Sequence, residues 1–450
     1  MEGFPISSNG ARPATLAEPS APPGLSGRGL LRFTTAGSVD DGKSTLIGRL
    51  LVDSRQVADD QLAQVEEASR RRSMDGALDL SLLTDGLRAE REQGITIDVA
   101  YRYFTTQRRF ILADVPGHRE YTRNMVTGAS TADLSIVLVD VHRGVVEQSR
   151  RHAYITSLLG IPHLVVAVNK MDLVDYDQAA FASVVDTFEE FAAGLPVADR
   201  LFIPVSALHG DNVVARSERM PWYDGPTLLE HLEQVELSHE HPERVSARLP
   251  VQWIIRAPNG EPNVNHRGYA GQLASGVLRT GEEVVLTPSG RRTRIARIET
   301  SDGPIEEAVA PQSVSVVLED DLDVGRGEMI SRVDDPPTVA AELEADVCWM
   351  SVHPLEAGRR YLIKNSTRTV SALVAEVVHC MDIHTLRPVP DSSSLELNDI
   401  GRVRLRTTAP LAFDTYRANR GTGSFILIDE TSNDTVAAGM IVGAPAPAQP

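Results

Sequence analysis

Between residues 30 and 235, short apolar, β-branched runs alternate with stretches whose apolar positions recur every three to four residues. The first kind of pattern predicts strands and the second predicts amphipathic helices. The runs are Leu30 to Ala36, Val99 to Phe104, Arg109 to Ala113, Leu134 to Val139, His163 to Val168 and Leu201 to Val205. The helical stretches are Ser44 to Asp53, Asp59 to Arg72, Glu120 to Ala129, Gln148 to Leu159, Gln178 to Phe191 and Thr227 to Val235. Strands and helices in alternation build a doubly wound, mostly parallel sheet. Past the charged stretch Glu236 to Arg248 the pattern changes to short β-rich runs separated by Gly, Pro and Asn turns, the spacing of small β-barrels. One set includes Val251 to Arg256, Gly268 to Ala274, Glu283 to Leu286, Thr293 to Ile298 and Ser313 to Leu318. A second includes Arg359 to Ile363, Val370 to Val378, Gly401 to Thr407 and Ser424 to Asp429, with Pro336-Pro337 as the border. The expected organisation is a disordered tail at 1–29, an α/β domain at 30–238, β-barrels at 249–337 and 338–443, and a disordered tail at 444–450.

Composition narrows the function classes. At 450 residues the chain is too long for one core, and its longest apolar runs, such as Ile136 to Val139, are too short to span a bilayer. Residues 1 to 29 lack a basic start followed by an apolar block, so no secretory signal is expected. Two cysteines, Cys348 and Cys380, do not make a disulfide framework, and a cytoplasmic protein is expected. A formal net charge of −18 disfavours bulk binding to nucleic acid or anionic lipid. The cluster His379-Cys380-Met381-Asp382-Ile383-His384 alternates across two strand faces, whereas structural zinc takes four ligands in two separated pairs, so no metal is assigned there.

The candidate chemistry begins at Gly37-Ser38-Val39-Asp40-Asp41-Gly42-Lys43-Ser44-Thr45, which follows a strand and opens a helix. Its G-x-x-x-x-G-K-[ST] spacing suits a phosphate cradle: backbone N–H groups wrap the phosphates, Lys43 brings a point charge, and the Ser44 hydroxyl can ligate Mg²⁺. Thr96, in the charged loop from Asp85 to Asp98, is the threonine placed to ligate Mg²⁺ and sense a γ-phosphate. Asp114-Val115-Pro116-Gly117-His118 follows the third strand. There the carboxylate can hold the Mg²⁺ shell and the Gly117 N–H can meet the γ-phosphate. Asn169-Lys170-Met171-Asp172 follows the fifth strand. The carboxylate of Asp172 can accept from N1–H and the exocyclic amine of guanine, a donor pair that adenine lacks. Asn169 braces this loop, and the N–H groups of Ser206-Ala207-Leu208 can reach guanine O6. All lie at the strand ends where an open α/β sheet holds a nucleotide.

Together these motifs resemble the translation-factor class of GTPases, a P-loop GTPase domain followed by two β-barrels. Within it the chain is most similar to the GTP-binding large subunit of bacterial heterodimeric sulfate adenylyltransferase, or ATP sulfurylase. Residues 37–51, 85–103, 121–130, 169–175, 267–271 and 432–442 carry the likeness. The resemblance implies that Lys43, Ser44, Thr96, Asp114 and Gly117 hold Mg²⁺ and GTP, and that Asn169, Asp172 and Ser206 to Leu208 hold the base. It also implies that Asp40 sits near the β–γ bridge and that His118 orients the attacking water. Val115 stands where the family often has threonine or cysteine. It further implies a separate small subunit that binds ATP and sulfate and makes adenylylsulfate and pyrophosphate, with GTP hydrolysis here driving it through the segments 85–97 and 117–125. No second phosphate-loop motif follows, so the adenylylsulfate-kinase domain fused to some longer relatives is not expected. Elongation factors that carry aminoacyl-tRNA share the architecture and are the alternative, but typically have histidine and threonine at the positions of Asp41 and Ser44.

Overall fold

The computed structural model describes residues 29–38, 40–72, 79–83, 98–118, 121–195, 197, 199–237, 245–256, 267–389 and 392–445. Six strands form the first sheet: β1 (Leu31–Ala36), β2 (Ala100–Thr105), β3 (Arg109–Asp114), β4 (Leu134–Asp140), β5 (His163–Asn169) and β6 (Asp199–Pro204). Their order is β2-β3-β1-β4-β5-β6, with β2 antiparallel to β3 and every other pair parallel. The helices are α1 (Lys43–Asp53), α2 (Asp59–Arg72), α3 (Thr122–Ala129), α4 (Glu147–Leu158), α5 (Gln178–Ala192) and α6 (Leu228–Gln234). Strand β4 shows why the sheet is covered on both faces. All seven of its residues are buried. Leu134, Ile136 and Leu138 pack with Leu46, Ile47 and Leu50 of α1 and Leu228 and Leu232 of α6, while Val137 and Val139 pack with Ala153 of α4 and Val184 and Phe188 of α5. Period-two alternation with apolar residues at both phases is the signature of a buried parallel strand.

Several boundaries differ from expectation. The sixth strand starts at Asp199, two residues before the apolar run, and runs through Pro204. It is an edge strand, where proline deprives no neighbour of a donor. In the last region, the run from Val370 extends into a strand from Arg368 to Asp382 that carries His379 and Cys380. The expectations placed on Val39, on the segment 85–97 and on Arg119 and Glu120 lie outside the described residues.

The chain from Arg248 to Arg332 forms an antiparallel sheet around a core that includes Leu249, Tyr269, Leu286, Ile298 and Ile330. Beyond Pro336-Pro337 a long strand, Thr338–Trp349, begins the third unit. There Arg360–Asn365 pairs with both Arg368–Asp382 and Ser424–Ile428, which closes the ring around Trp349, Tyr361, Phe413 and Phe425. Closure removes exposed edges. A guanidinium locks the two β units together: Arg248, 1% exposed, donates through Nε and Nη2 to Asp414 at 2.9 and 2.8 Å. The third unit packs on the α/β domain through Cys348, Ile400, Tyr416 and Met440 against Met125, Ala129, Ile155 and Leu159. The Tyr416 hydroxyl donates to the Leu159 carbonyl at 3.0 Å. Among the described residues, no helix is long and apolar enough to cross a membrane.

Candidate nucleotide site

The phosphate end is built where β1 turns into α1. Gly42 closes the turn with φ 91°, and a Cβ there would stand 2.5 Å from Asn169 Nδ2, so glycine is required both by backbone and by space. Asp40 also adopts a left-handed conformation, φ 71°, a region that aspartate tolerates better than most residues. Helix α1 has no side-chain cap and no acidic residue in its first turn. Its first N–H groups and the positive end of its dipole therefore face the loop, the arrangement that binds an anion. Lys43 and Asp114 are both buried and form an ion pair. The Thr35 hydroxyl also donates to Asp114, at 3.5 Å. Gly117 brings the loop after β3 against the phosphate loop: a Cβ on it would lie 2.1 Å from the Gly37 carbonyl oxygen. Val115 is fully buried beneath, and His118 is exposed, its ring 6.1 Å from that of Tyr121.

The Asp41 side chain is held within the loop. Its side chain is 1% exposed and turns back into the loop, where the carboxylate accepts from the Ser38 N–H at 2.6 Å. Burial pushes its pKa up to about 6, against the lowering effect of that hydrogen bond and of Arg143.

At the base end, Asn169 ties three segments together. Its Nδ2 donates to the Asp41 carbonyl at 2.7 Å, and its Oδ1 accepts from the Ala207 N–H at 2.9 Å. The Ser206 hydroxyl donates to Asp172 at 2.6 Å. Lys170, left-handed with φ 64°, donates to Asp140 at 2.9 Å, and Met171 is buried with its N–H donating to the Val205 carbonyl at 3.2 Å. The structure thus brings the loops 37–45, 114–118, 169–172 and 206–208 to one edge of the sheet. Thr96 and Val39 lie outside the described residues.

Sequence reading missed four participants. Asp140 ends β4, and strand-end position was the signal that could have found it. Thr35 and Arg49 lie within elements and carry no motif. Gln148, on α4, donates to the Gly117 carbonyl at 2.9 Å and lies 3.0 Å from Nε2 of the buried His152. Burial first, and then the charge of Lys43, pushes His152 down to about 3, so it is neutral.

Residues 28–238 match the elongation factor Tu GTP binding domain family, and residues 342–442 match the GTP-eEF1A C-terminal domain-like family. "Sulfate adenylyltransferase subunit 1" of Laribacter hongkongensis is 52% identical over 92% of this chain and 85% of its own length. The chain belongs to the sulfate adenylyltransferase subunit 1 family. The "Bifunctional enzyme CysN/CysC" of Mycobacterium tuberculosis is 57% identical over 92% of this chain, and that of Rhodopirellula baltica 52% over 92%. This chain spans 67% and 63% of those two longer relatives. As a member of this family the chain is a GTP-binding, translation-factor-like large subunit with a GTPase domain followed by β-barrel domains. The aminoacyl-tRNA carrier alternative is not favoured by these relatives.

Proposed function

We propose that this chain hydrolyses GTP as the large subunit of an ATP sulfurylase, and that hydrolysis drives adenylyl transfer from ATP to sulfate in a separate small subunit in the cytoplasm. The observation that carries the reading is the convergence of the Lys43, Asp114, Asn169, Asp172 and Ser206 loops on one sheet edge, in a chain 52% identical to a sulfate adenylyltransferase subunit 1. The donor set fits Mg²⁺: the Ser44 hydroxyl and the Asp114 carboxylate are oxygens, and Thr96 would add a third. Among the described residues no group of three or more His, Cys, Asp or Glu side chains is placed to cage an ion. Mg²⁺ keeps several waters and is shared with substrate phosphates, so few protein oxygens are needed to hold it. Once bound, the ion would neutralise charge developing on the β- and γ-phosphates.

The protein's own groups do the rest. Lys43 exchanges Asp114 for the β- and γ-phosphates, and the Gly117 N–H meets a γ-phosphate oxygen. Asp172 and Asn169 hold the guanine. His118, exposed beside Gly117, orients a water that attacks the γ-phosphorus as the bond to the β–γ bridging oxygen breaks, giving GDP and phosphate. Coupling requires loops whose contacts with the small subunit differ between GTP and GDP states, because a ligand shifts an equilibrium only by its differential affinity. The test is GTP turnover by the full chain alone and with its small subunit, ATP and sulfate. Turnover should rise with the complete mixture, and a rate indifferent to it would sink the coupling.

A further inference from the structure

Taking Asn169, Asp172 and 206–208 as the guanine-binding segments, we propose that Arg49 is a positioning residue that aims the Leu208 N–H at guanine O6. Arg49 lies on α1, the helix that begins at Lys43, with its side chain 20% exposed. Its Nε donates to the Ala207 carbonyl at 3.2 Å, and its Nη2 donates to the Leu208 carbonyl. Asp53, one turn on, holds the guanidinium from the other side at 3.4 Å. Gly210, left-handed with φ 85°, lies close over the stem: a Cβ there would stand 3.4 Å from Arg49 Cδ and 2.9 Å from an Asp53 oxygen.

The Ala207 carbonyl and the Leu208 N–H belong to one trans peptide unit, in which C=O and N–H point in opposite directions. Fixing that carbonyl against α1 therefore turns the Leu208 N–H away from α1. The neighbouring donors are committed: the Ala207 N–H to Asn169 Oδ1, and the His209 N–H to the Ser206 hydroxyl at 3.3 Å. The Leu208 N–H has no acceptor among the described residues, so it is the donor left for a base oxygen. A cationic donor on the carbonyl also polarises the peptide and strengthens its N–H as a donor. The guanidinium reaches two successive carbonyls because its donors form a planar fork, which an ammonium lacks.

Binding of GDP and of 6-thioguanosine diphosphate to the full chain tests this, because the two differ only at the atom the Leu208 N–H would meet, and sulfur is the weaker acceptor. The wild-type chain should prefer GDP. Arg49→Met, which keeps the aliphatic stem, should weaken GDP binding about tenfold, as expected for one hydrogen bond at the strong end of the range, and leave the thio analogue nearly unchanged. The preference then collapses, with Arg49→Lys intermediate. Equal weakening of both nucleotides, or none, would overturn the proposal, and Arg49→Lys decides by the same ratio if the methionine variant does not fold. Failure of the guanine assignment itself would show separately, as an Asp172→Asn variant that still prefers guanine over xanthine nucleotides.

Discussion

The two ends of the nucleotide site are prepared in opposite ways. At the phosphate end Lys43 and Asp114 satisfy one another as a buried ion pair, while the Asp41 carboxylate turns inward onto the Ser38 N–H. At the base end, hydrogen bonds without an ion pair hold the groups proposed to recognise guanine: Asn169 spans the Asp41 carbonyl and the Ala207 N–H, and the Ser206 hydroxyl braces Asp172. A buried charge must have a counter-charge, so a site for phosphate and metal needs internal partners that the ligand then replaces. A site for a neutral base needs no such exchange. It can be preorganised, which reduces the ordering cost of binding.

The largest expected effect tests whether the phosphate end is held by that charge exchange. Lys43→Ala leaves the Asp114 carboxylate buried without its cation and should cost about 3–5 kcal/mol of stability as well as GTP binding. Adding Asp114→Asn should restore most of the stability in denaturant titrations and none of the binding. A single variant as stable as wild type would remove the contrast. Next, Asp172→Asn should move preference from GTP to xanthosine triphosphate. The two bonds exchanged are each worth roughly 1–3 kcal/mol when a partner is lost, and competition binding reads the ratio. The fold should be unchanged, because the asparagine oxygen still accepts from Ser206.

The smallest effect is pH-dependent and belongs to Asp41. Its folded pKa, about 6, lies above the unfolded value of 3.8. The folded state thus holds the proton more tightly, and this contribution to stability is full below pH 4 and lost as pH rises through about 6. Asp41→Asn should therefore be more stable than wild type at pH 8, by about 3 kcal/mol, and about equal to it at pH 4. Unfolding measured at both values checks the difference, and equal stability at both would show that the carboxylate is not penalised by burial.

The sequence determined much of this protein. Strand–helix alternation prescribed the doubly wound sheet because a strand such as β4, apolar at both phases, is stable only when covered on both faces. Gly42, Gly117, Asn169 and Asp172 were legible as candidates because a phosphate cradle calls for backbone curvature and guanine recognition for a donor-matching carboxylate at such strand ends. Tertiary structure alone decided the partners. Nothing in the local spelling says that Asp41 turns inward, that Gln148 on α4 reaches the Gly117 carbonyl, or that Arg49 on α1 holds Ala207 and Leu208, residues far along the chain. Motifs record the contacts a ligand imposes on nearby residues. The contacts that hold those residues in place come from whichever element the fold packs beside them, and only the packed sheet brings them within reach.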